Sequence, residues 1–532
     1  MATSYTSKKL AFNAAEQFKE SFYEYTPTIG YVFIGNHLPY SNEDTPDSII
    51  DDVADEKSIW DNMYAARKVT GNEVELVVPR YDWAANTVYR HYDDRVQLNY
   101  LLDSNVSILP SGIGFYEEEN DYANTEPMYV MNSERNVYLC LNNGGSANSS
   151  IEPTGKNLSS NGNIQTADGY VWKYLYNVRA SNRFLTNTWI PAPTSTSKLD
   201  YDTSSLISVD GELVYLEVMN TGSGFIHSGI TVSAFTTGTN IITVANTNNL
   251  VANMAVSGTG IAGGAYITSI DTLNLKLTLS ANTSANGGGS GNTVSVTTRV
   301  LIDGDGSGAI PVANVANGGI DKITLTSYGK DYTRANITIY GTGTGANVRA
   351  VLPPKYGHGY NPAKELGATN VMIAMKIGEI DSTEGGLISS NTTIRQYGLL
   401  LDPHKYGSDT IISTTNANTV ISQTMDLTLE SSGTAFNSDE FVYQGASSSA
   451  ATFSGYVNDQ TATTVRLTRT VGTPATGVPL KGSSTNPTGR ALFTVKEPEF
   501  QPYSGDIVYV NNITKTQRTE GQAENIKFVV RF

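Results

Sequence analysis

A β-rich segment that occurs twice in the chain limits its possible folds more than any other sequence feature. LEVMNTGSGFIHSGITV (216–232) lies without gaps over ITLTSYGKDYTRANITI (323–339). The matched positions include a glycine pair and an aromatic pair: Gly222 with Gly329, and Phe225 with Tyr332. Short runs rich in β-branched residues between glycines are typical of strands and turns. The repeat therefore predicts one β unit that is used twice.

An interruption of the first copy predicts an inserted domain. The second copy continues as YGTGTGANVRAVL from residue 340, whereas the matching DGDGSGAIPVANV begins only at residue 303. A loop between strands tolerates such an insertion. Residues 235–298 are predicted to be a small β domain, and residues 431–497 a second, barrel-like one, because both alternate short apolar runs with Gly or Asn turns. The remaining discontinuous core covers 1–234, 299–430 and 498–532.

The fold class predicted from these patterns is mainly β, with α+β character in the N-terminal part and several sandwich or barrel-like modules. Two N-terminal helices are predicted, over 7–25 and 56–69, because apolar residues recur there at helical spacing. The residues expected on their buried faces are Leu10, Ala14, Phe18 and Phe22 in the first helix, and Ile59, Trp60, Met63 and Tyr64 in the second.

Composition excludes several classes of protein. The 532 residues carry a formal net charge of −16, so a phosphate backbone would be repelled and no nucleic-acid partner is predicted. The chain has one cysteine, Cys140, which excludes an internal disulfide framework and a multi-cysteine metal site. The longest apolar run, near 29–35, is shorter than the ~20 residues that span a bilayer. No secretory signal is visible at the N-terminus, and no membrane insertion is predicted.

Two short motifs are the candidate structural or interface sites. VPRYDW (78–83) ends a valine-rich segment, and its candidate residues are Pro79, Arg80, Asp82 and Trp83. In TADGYVWKYLYNV (166–178), an Asp-Gly turn leads into a strand with aromatics at every second position, and its candidates are Asp168, Gly169, Tyr170, Trp172 and Tyr174. We expect Arg80 to pair with Asp82, and the aromatic face to pack against a second sheet or a partner protein.

The chain contains short motifs that resemble ligand sites, but their sequence context does not support them. No enzyme, no cofactor and no metal centre are therefore predicted. DGDG (303–306) opens like an EF-hand loop, but position 12 of that loop is Asn314 instead of Glu, so a glycine-rich turn is favoured and weak calcium binding stays open. GTGTGA (341–346) is followed by a strand and not a helix, which argues against a dinucleotide loop. The five histidines lack metal-ligand spacing. Acidic pairs such as Glu117 and Glu119 are typical of solvated loops.

Several segments together resemble the gene-product-eight family of baseplate wedge subunits from T-even-type contractile-tailed phages. The resemblance rests on TIGYVFIGNHLPYSNEDTPDSIIDD (28–52), VPRYDW, NVYLCLNN…SSIEPTG…TADGYVWKYLYNV (136–178), TIRQYGLLLDP (393–403) and SGDIVYVNN…EGQAENIKFVVRF (504–532). The T-even prototype is shorter, and the inserts at 235–298 and 431–497 have no counterpart in it.

The resemblance implies a structural virion protein of the tail baseplate that is assembled in the host cytoplasm. Its implied partners are other wedge and pin proteins, with a homodimer in each of six wedges. The alternative function is a tail-associated protein that binds host glycans through its inserts, and a polysaccharide depolymerase is a more distant third.

Overall fold

The computed structural model shows a mainly β protein, which confirms the predicted fold class. The residues that it describes are 8–24, 28–94, 127–157, 163–178, 183–194, 202–203, 208–377, 392–412, 420–431, 433–486, 488–517 and 524–532. Among them, no helix has the length and apolar character that crossing a membrane requires. The chain divides into two compact units: unit one is 1–9 with 79–367, and unit two is 10–78 with 368–532.

The secondary structure consists mostly of short strands. The described α-helices are α1 (Lys8–Ser21), α2 (Val53–Asn62) and α3 (Pro362–Glu365). The strands up to the first copy of the repeat are β1 (Gly30–Gly35), β2 (Met63–Lys68), β3 (Val74–Pro79), β4 (Tyr129–Met131), β5 (Asn136–Asn143), β6 (Asn163–Gln165), β7 (Tyr170–Asn177), β8 (Trp189–Pro191), β9 (Asp202–Thr203) and β10 (Tyr215–Ser223). The next strands are β11 (Ser228–Thr231), β12 (Ile241–Thr243), β13 (Ala255–Ser257), β14 (Ile267–Asp271), β15 (Lys276–Leu279), β16 (Thr293–Thr297), β17 (Arg299–Gly304), β18 (Ser307–Ala316), β19 (Gly319–Lys330), β20 (Ala335–Tyr340) and β21 (Thr344–Val351). The last strands are β22 (Asn370–Ile377), β23 (Thr393–Leu401), β24 (Val420–Ser422), β25 (Met425–Leu429), β26 (Phe441–Gly445), β27 (Ala451–Gln460), β28 (Thr464–Gly472), β29 (Pro479–Gly482), β30 (Arg490–Lys496), β31 (Asp506–Gln517) and β32 (Glu524–Arg531).

The first predicted helix is present as α1, but its buried face differs from the predicted one. Leu10 is 59% exposed, and the buried residues of the helix include Ala11, Phe12, Ala15 and Lys19. Phe22, just after the helix end, is buried as predicted. Lys19 lies on the buried side because its ammonium forms an ion pair with Glu75 of β3. A buried charge is tolerated when it is paired in this way, and hydrophobic spacing alone does not identify it.

The second predicted helix, over 56–69, is wrong in its C-terminal half. Helix α2 begins after Asp52, whose carboxylate accepts hydrogen bonds from the Ala54 amide (2.9 Å) and the Asp55 amide (2.8 Å). It ends at Asn62, and the next residues form β2, which lies between β1 and β24. Pairing on both edges satisfies the backbone of β2 as a helix would, so tertiary context decides the conformation.

Unit two contains a central sheet and a closed barrel. The sheet has the order β24-β2-β1-β23-β31, and β1 is buried along its full length. The barrel closes in the order β25-β28-β27-β26-β29-β30 around a core of buried side chains, among them Leu427, Val442, Phe453, Val465, Leu480 and Leu492. His37, which follows β1, contacts the barrel through Nδ1 to Asp439 and Nε2 to Thr468, each at 2.6 Å.

Two copies of a strand arrangement form a sandwich in unit one. One sheet has the order β18-β19-β10-β21, and the other pairs β17 with β20. The central strands β10 and β19, which carry the repeated sequences, are antiparallel neighbours, and the outer strands β18 and β21 flank them on opposite sides. The core between these sheets includes Phe225 and Tyr332, the matched aromatics of the two copies.

The segment between the halves of the first copy folds into two small sheets. Their orders are β11-β16-β13 and β12-β15-β14, and side chains from both sheets share one core. Ile230 and Val232 contribute to this core although they precede residue 235. The boundaries given above for the two inserted domains stay predictions.

Candidate functional site

The VPRYDW motif lies at the point where the chain enters unit one. Arg80 Nε donates to both carboxylate oxygens of Asp82, at 2.9 and 3.1 Å, so the expected ion pair is present in the structure. The same guanidinium donates through Nη1 to the Thr186 carbonyl at 2.9 Å. The Tyr129 hydroxyl donates to the Pro79 carbonyl at 2.6 Å. Arg80 is therefore fixed on two sides, while the Asp82 carboxylate is 56% exposed and keeps contact with solvent.

The second motif forms a tight turn between β6 and β7. Gly169 has φ +92°, which is a left-handed conformation that glycine adopts readily. Asp168 accepts hydrogen bonds from the amides of Ser150 (2.8 Å) and Ile151 (3.0 Å) across the turn, and from the Thr166 hydroxyl within it. Burial alone would raise the pKa of Asp168, but these hydrogen bonds to the ionised form hold the pKa below its usual value.

Ser149 joins the two motifs. The Trp83 indole Nε1 donates to Ser149 Oγ at 3.2 Å, and this hydroxyl donates to Asp168 Oδ2 at 3.3 Å. Ser149 is fully buried, and its backbone is fixed by hydrogen bonds to Asn86 and Thr87 (2.7 and 2.8 Å). Sequence reasoning did not single out this serine, although it lies in the SSIEPTG part of the central motif, because nothing local reveals its partner at residue 83.

The aromatic residues of β7 form a buried cluster inside unit one. Tyr170, Trp172 and Tyr174 have no exposed surface. The Tyr170 and Trp172 rings stack at 5.4 Å and 14°, and the Tyr89 ring contacts Trp172 edge-on at 5.4 Å. Tyr138 of β5 meets Tyr174 at 5.8 Å. The structure thus places these candidate residues against other parts of the same chain, where they position the Asp168 turn.

The remaining chemical motifs lie in structural surroundings. Asp305 of DGDG accepts hydrogen bonds from the amides of Thr333 (2.9 Å) and Arg334 (3.1 Å), so its carboxylate closes a turn. Thr344, within GTGTGA, begins strand β21 and does not precede a helix.

Cys140 is fully buried, and desolvation raises the pKa of its thiol. His358 is buried beside Glu365. Glu117 and Glu119 lie outside the described residues.

In the part of the chain that the structure describes, no set of three or more His, Cys, Asp or Glu side chains is arranged to hold a metal ion. The geometry of the motif region is that of a structural junction, in which polar side chains fix turns and aromatic rings fill the space between them.

Comparison with known proteins relates the motif region to a family of phage proteins. The family described as bacteriophage T4 Gp8 matches residues 24–217, which include both motifs and Ser149. Residues 24–217 are therefore similar to the gp8 family. The chain is also similar to the baseplate wedge protein gp8 of Enterobacteria phage T4, with 25% identity over 176 residues. That alignment covers 30% of this chain and 52% of the T4 protein, so the chain spans about half the length of the curated relative that it matches.

The gp8 match confirms the resemblance inferred from the motifs and sets its limit. It ends at residue 217, within β10. The inserted segments, the second copy of the repeat and the barrel all lie beyond it. The resemblance of 393–403 and 504–532 to the family's late strands stays a prediction.

Proposed function

We propose that this protein is a structural wedge subunit of a contractile phage tail baseplate. The observation that carries the proposal is the match of residues 24–217 to the gp8 family together with the similarity to a baseplate wedge protein. The partly buried junction of Trp83, Ser149 and Asp168 supports an architectural role, because it uses the matched motifs for internal rigidity. In this role the subunit holds its neighbours through extended interfaces, and those contacts rearrange when the baseplate changes shape.

The proposal includes partners and location. The partners are other wedge and pin proteins and a second copy of this chain, with six wedges in a baseplate. The protein is located in the virion tail and assembled in the host cytoplasm, without catalytic activity, nucleic acid or membrane insertion. Contact between the inserted segments and host glycans is a finer part of the proposal and does not replace the structural role.

An exposed apolar pair within the family region offers a surface for these neighbours. Val53 is 83% exposed at the start of α2, and Ile50, 64% exposed, lies just before this helix. Large apolar side chains with this exposure gain free energy when a partner covers them. Tyr170, Trp172 and Tyr174 are already buried within unit one, so they do not offer such a surface.

Light scattering of the purified chain, alone and mixed with the other wedge proteins, tests the proposal. We expect a homodimer alone and a larger complex of fixed stoichiometry in the mixture. Val53→Asp should weaken the complex, whereas Val471→Asp, a control at a 69% exposed position on the barrel, should not. A stable trimer that does not associate with the wedge proteins would contradict the wedge assignment and favour a fibre or an adhesin.

A further inference from the structure

The inserted segment between β10 and β17 carries an open groove that is lined by uncharged residues. Its volume is about 750 Å³, and it lies along the outer side of β12. Six of its lining residues carry hydroxyl or carboxamide groups: Thr236, Thr239, Thr243, Thr259, Asn286 and Asn292. None of the residues that line it is charged.

The alternation of side chains along β12 explains why the groove side of this strand is open to solvent. Ile242 of β12 points into the core and is 1% exposed, so its neighbours Ile241 and Thr243 point outwards, as alternation along a strand requires. Ile241 is 47% exposed and forms an apolar part of the groove. Beside it, Phe235 pairs with Gly287 through two backbone hydrogen bonds of 2.9 and 3.1 Å.

The groove wall is held in place by its own hydrogen bonds. Asn286 Oδ1 accepts from the Thr237 amide at 2.8 Å, which orients the side chain. Asn292 Nδ2 donates to the Gly288 carbonyl at 2.5 Å. The hydroxyls of Thr236, Thr243 and Thr259 belong to exposed residues and can both donate and accept. The site thus offers oriented neutral polar groups beside an apolar side chain.

The lining chemistry selects one class of ligand. Hydroxyls and carboxamides match the many hydroxyls of a sugar, and an exposed isoleucine can pack against the C–H face of a pyranose ring. A phosphorylated or acidic ligand would need a cation that the lining lacks, and the net charge of −16 would repel it. We propose that this groove binds a neutral oligosaccharide. The inference deepens the proposed baseplate function, on which it rests, by giving the inserted segment a contact with host-surface glycans.

Calorimetric titration of the full-length protein tests the inference. The probes are maltoheptaose and chitohexaose, which are neutral, and polysialic acid, which is anionic. We expect weak, saturable binding of at least one neutral probe, with a dissociation constant on the order of 1 mM, because an open groove buries little of the ligand surface. Ile241→Asp should weaken binding about tenfold or more. Ile310→Asp, at a 56% exposed isoleucine of β18 in the repeated sandwich, is the matched control and should bind like the unmodified protein.

Several results would overturn the inference. These are no saturable binding of either neutral probe, preferential binding of polysialic acid, or equal affinities of the Ile241→Asp and Ile310→Asp variants. The melting temperatures of both variants should equal that of the unmodified protein, because each change lies on an exposed face. Entry of the Ile241→Asp variant into the complex with wedge proteins separates the two proposals. Failure of the unmodified protein to assemble counts against the wedge role. Loss of glycan binding by the Ile241→Asp variant, with assembly retained, identifies the groove as the glycan site.

Discussion

Leu216 pairs with Ile323 across the central strands β10 and β19, and the two residues are equivalent positions of the repeat. An antiparallel pair of equivalent residues lies on a local twofold axis. A second such pair, Leu301 with Thr338, occurs between β17 and β20 when DGDGSGAIPVANV is aligned with YGTGTGANVRAVL. The sandwich is therefore pseudo-symmetric, and β17 takes in the first copy the place that β20 takes in the second.

The same symmetry relates the aromatic residues of the core. The Phe225 amide donates to the Gly318 carbonyl (2.9 Å), and the equivalent Tyr332 amide donates to the Gly211 carbonyl (3.2 Å). Each ring also lies against a glycine. Gly343, which follows β20, lies against Phe225, and Gly306, which follows β17, lies against Tyr332. Packing therefore accounts for these two glycines, and they require no phosphate or calcium ligand.

A methyl group at either of these glycines should destabilise the sandwich. A Cβ on Gly343 would lie 2.5 Å from Cγ of Phe225, and one on Gly306 would lie 2.6 Å from Cδ2 of Tyr332. We expect Gly343→Ala and Gly306→Ala each to cost about 1–3 kcal/mol, because a packed core yields little to an added methyl group. Urea unfolding followed by tryptophan fluorescence measures this cost. Gly229→Ala is the control, because a Cβ there meets nothing within 4 Å, and a cost equal to that of the control would contradict the packing argument.

Sequence patterns revealed the strands and turns of this protein better than its buried polar groups. The Asp168-Gly169 turn and the Arg80–Asp82 pair follow from local chemistry, and the structure contains both. The strand at 63–68 could not be distinguished from a helix, because its conformation depends on pairing with β1 and with β24, which comes more than three hundred residues later. Ser149 was missed for the same reason, since its partners come from two distant motifs.

Removal of the Ser149 hydroxyl should weaken the junction between the motifs. In Ser149→Ala, the Trp83 indole and Asp168 lose their shared partner, and we expect a loss of about 0.5–1.5 kcal/mol in the free energy of unfolding, because two partly buried hydrogen bonds are removed. Chemical denaturation at neutral pH measures the loss. Ser233→Ala, at an exposed position, serves as the control. A double variant, Ser149→Ala with Trp83→Phe, should cost less than the sum of the single changes, and strict additivity would show that the bridge contributes nothing.

The barrel should lose stability in acid through Glu440. Its carboxylate accepts hydrogen bonds from the amides of Asn437, Ser484 and Thr485, at 2.7 to 2.8 Å. Burial acts to raise the pKa of Glu440, but these hydrogen bonds and one from the Thr485 hydroxyl lower it from 4.5 to about 2. Because the folded-state pKa is the lower one, the stabilisation is fully present above pH 4.5 and is lost as the pH falls towards 2.

Denaturation of the unmodified protein and of Glu440→Gln across this pH range checks the prediction. The variant should be less stable at neutral pH, and its stability should fall less between pH 4.5 and pH 2, since the titrating group has been removed. Glu430→Gln, at an exposed position next to β25, is the control and should follow the unmodified protein. Parallel pH profiles for Glu440→Gln and the unmodified protein would contradict the assignment.

Deletion of residues 526–532 should abolish soluble folding of unit two. These residues form most of β32, which pairs with β22 from Asn370 to Ile377. The Phe528 ring stacks on Tyr509 at 4.7 Å, and the Phe532 ring contacts Phe18 of α1 at 5.2 Å. The deletion leaves one edge of β22 unpaired and exposes apolar surface, a combination that promotes aggregation.

The soluble fraction after expression and the melting temperature measure the effect of the deletion. Asn525→Ala is the control, because it changes an exposed side chain and preserves the backbone pairing of β32. Soluble truncated protein with the melting temperature of the full chain would show that the sheet is stable without β32. The expected result is that the deletion gives insoluble protein and the control gives soluble protein. Because only the deletion removes backbone hydrogen bonds, this result would show that the sheet containing β22 depends on β32 for its stability.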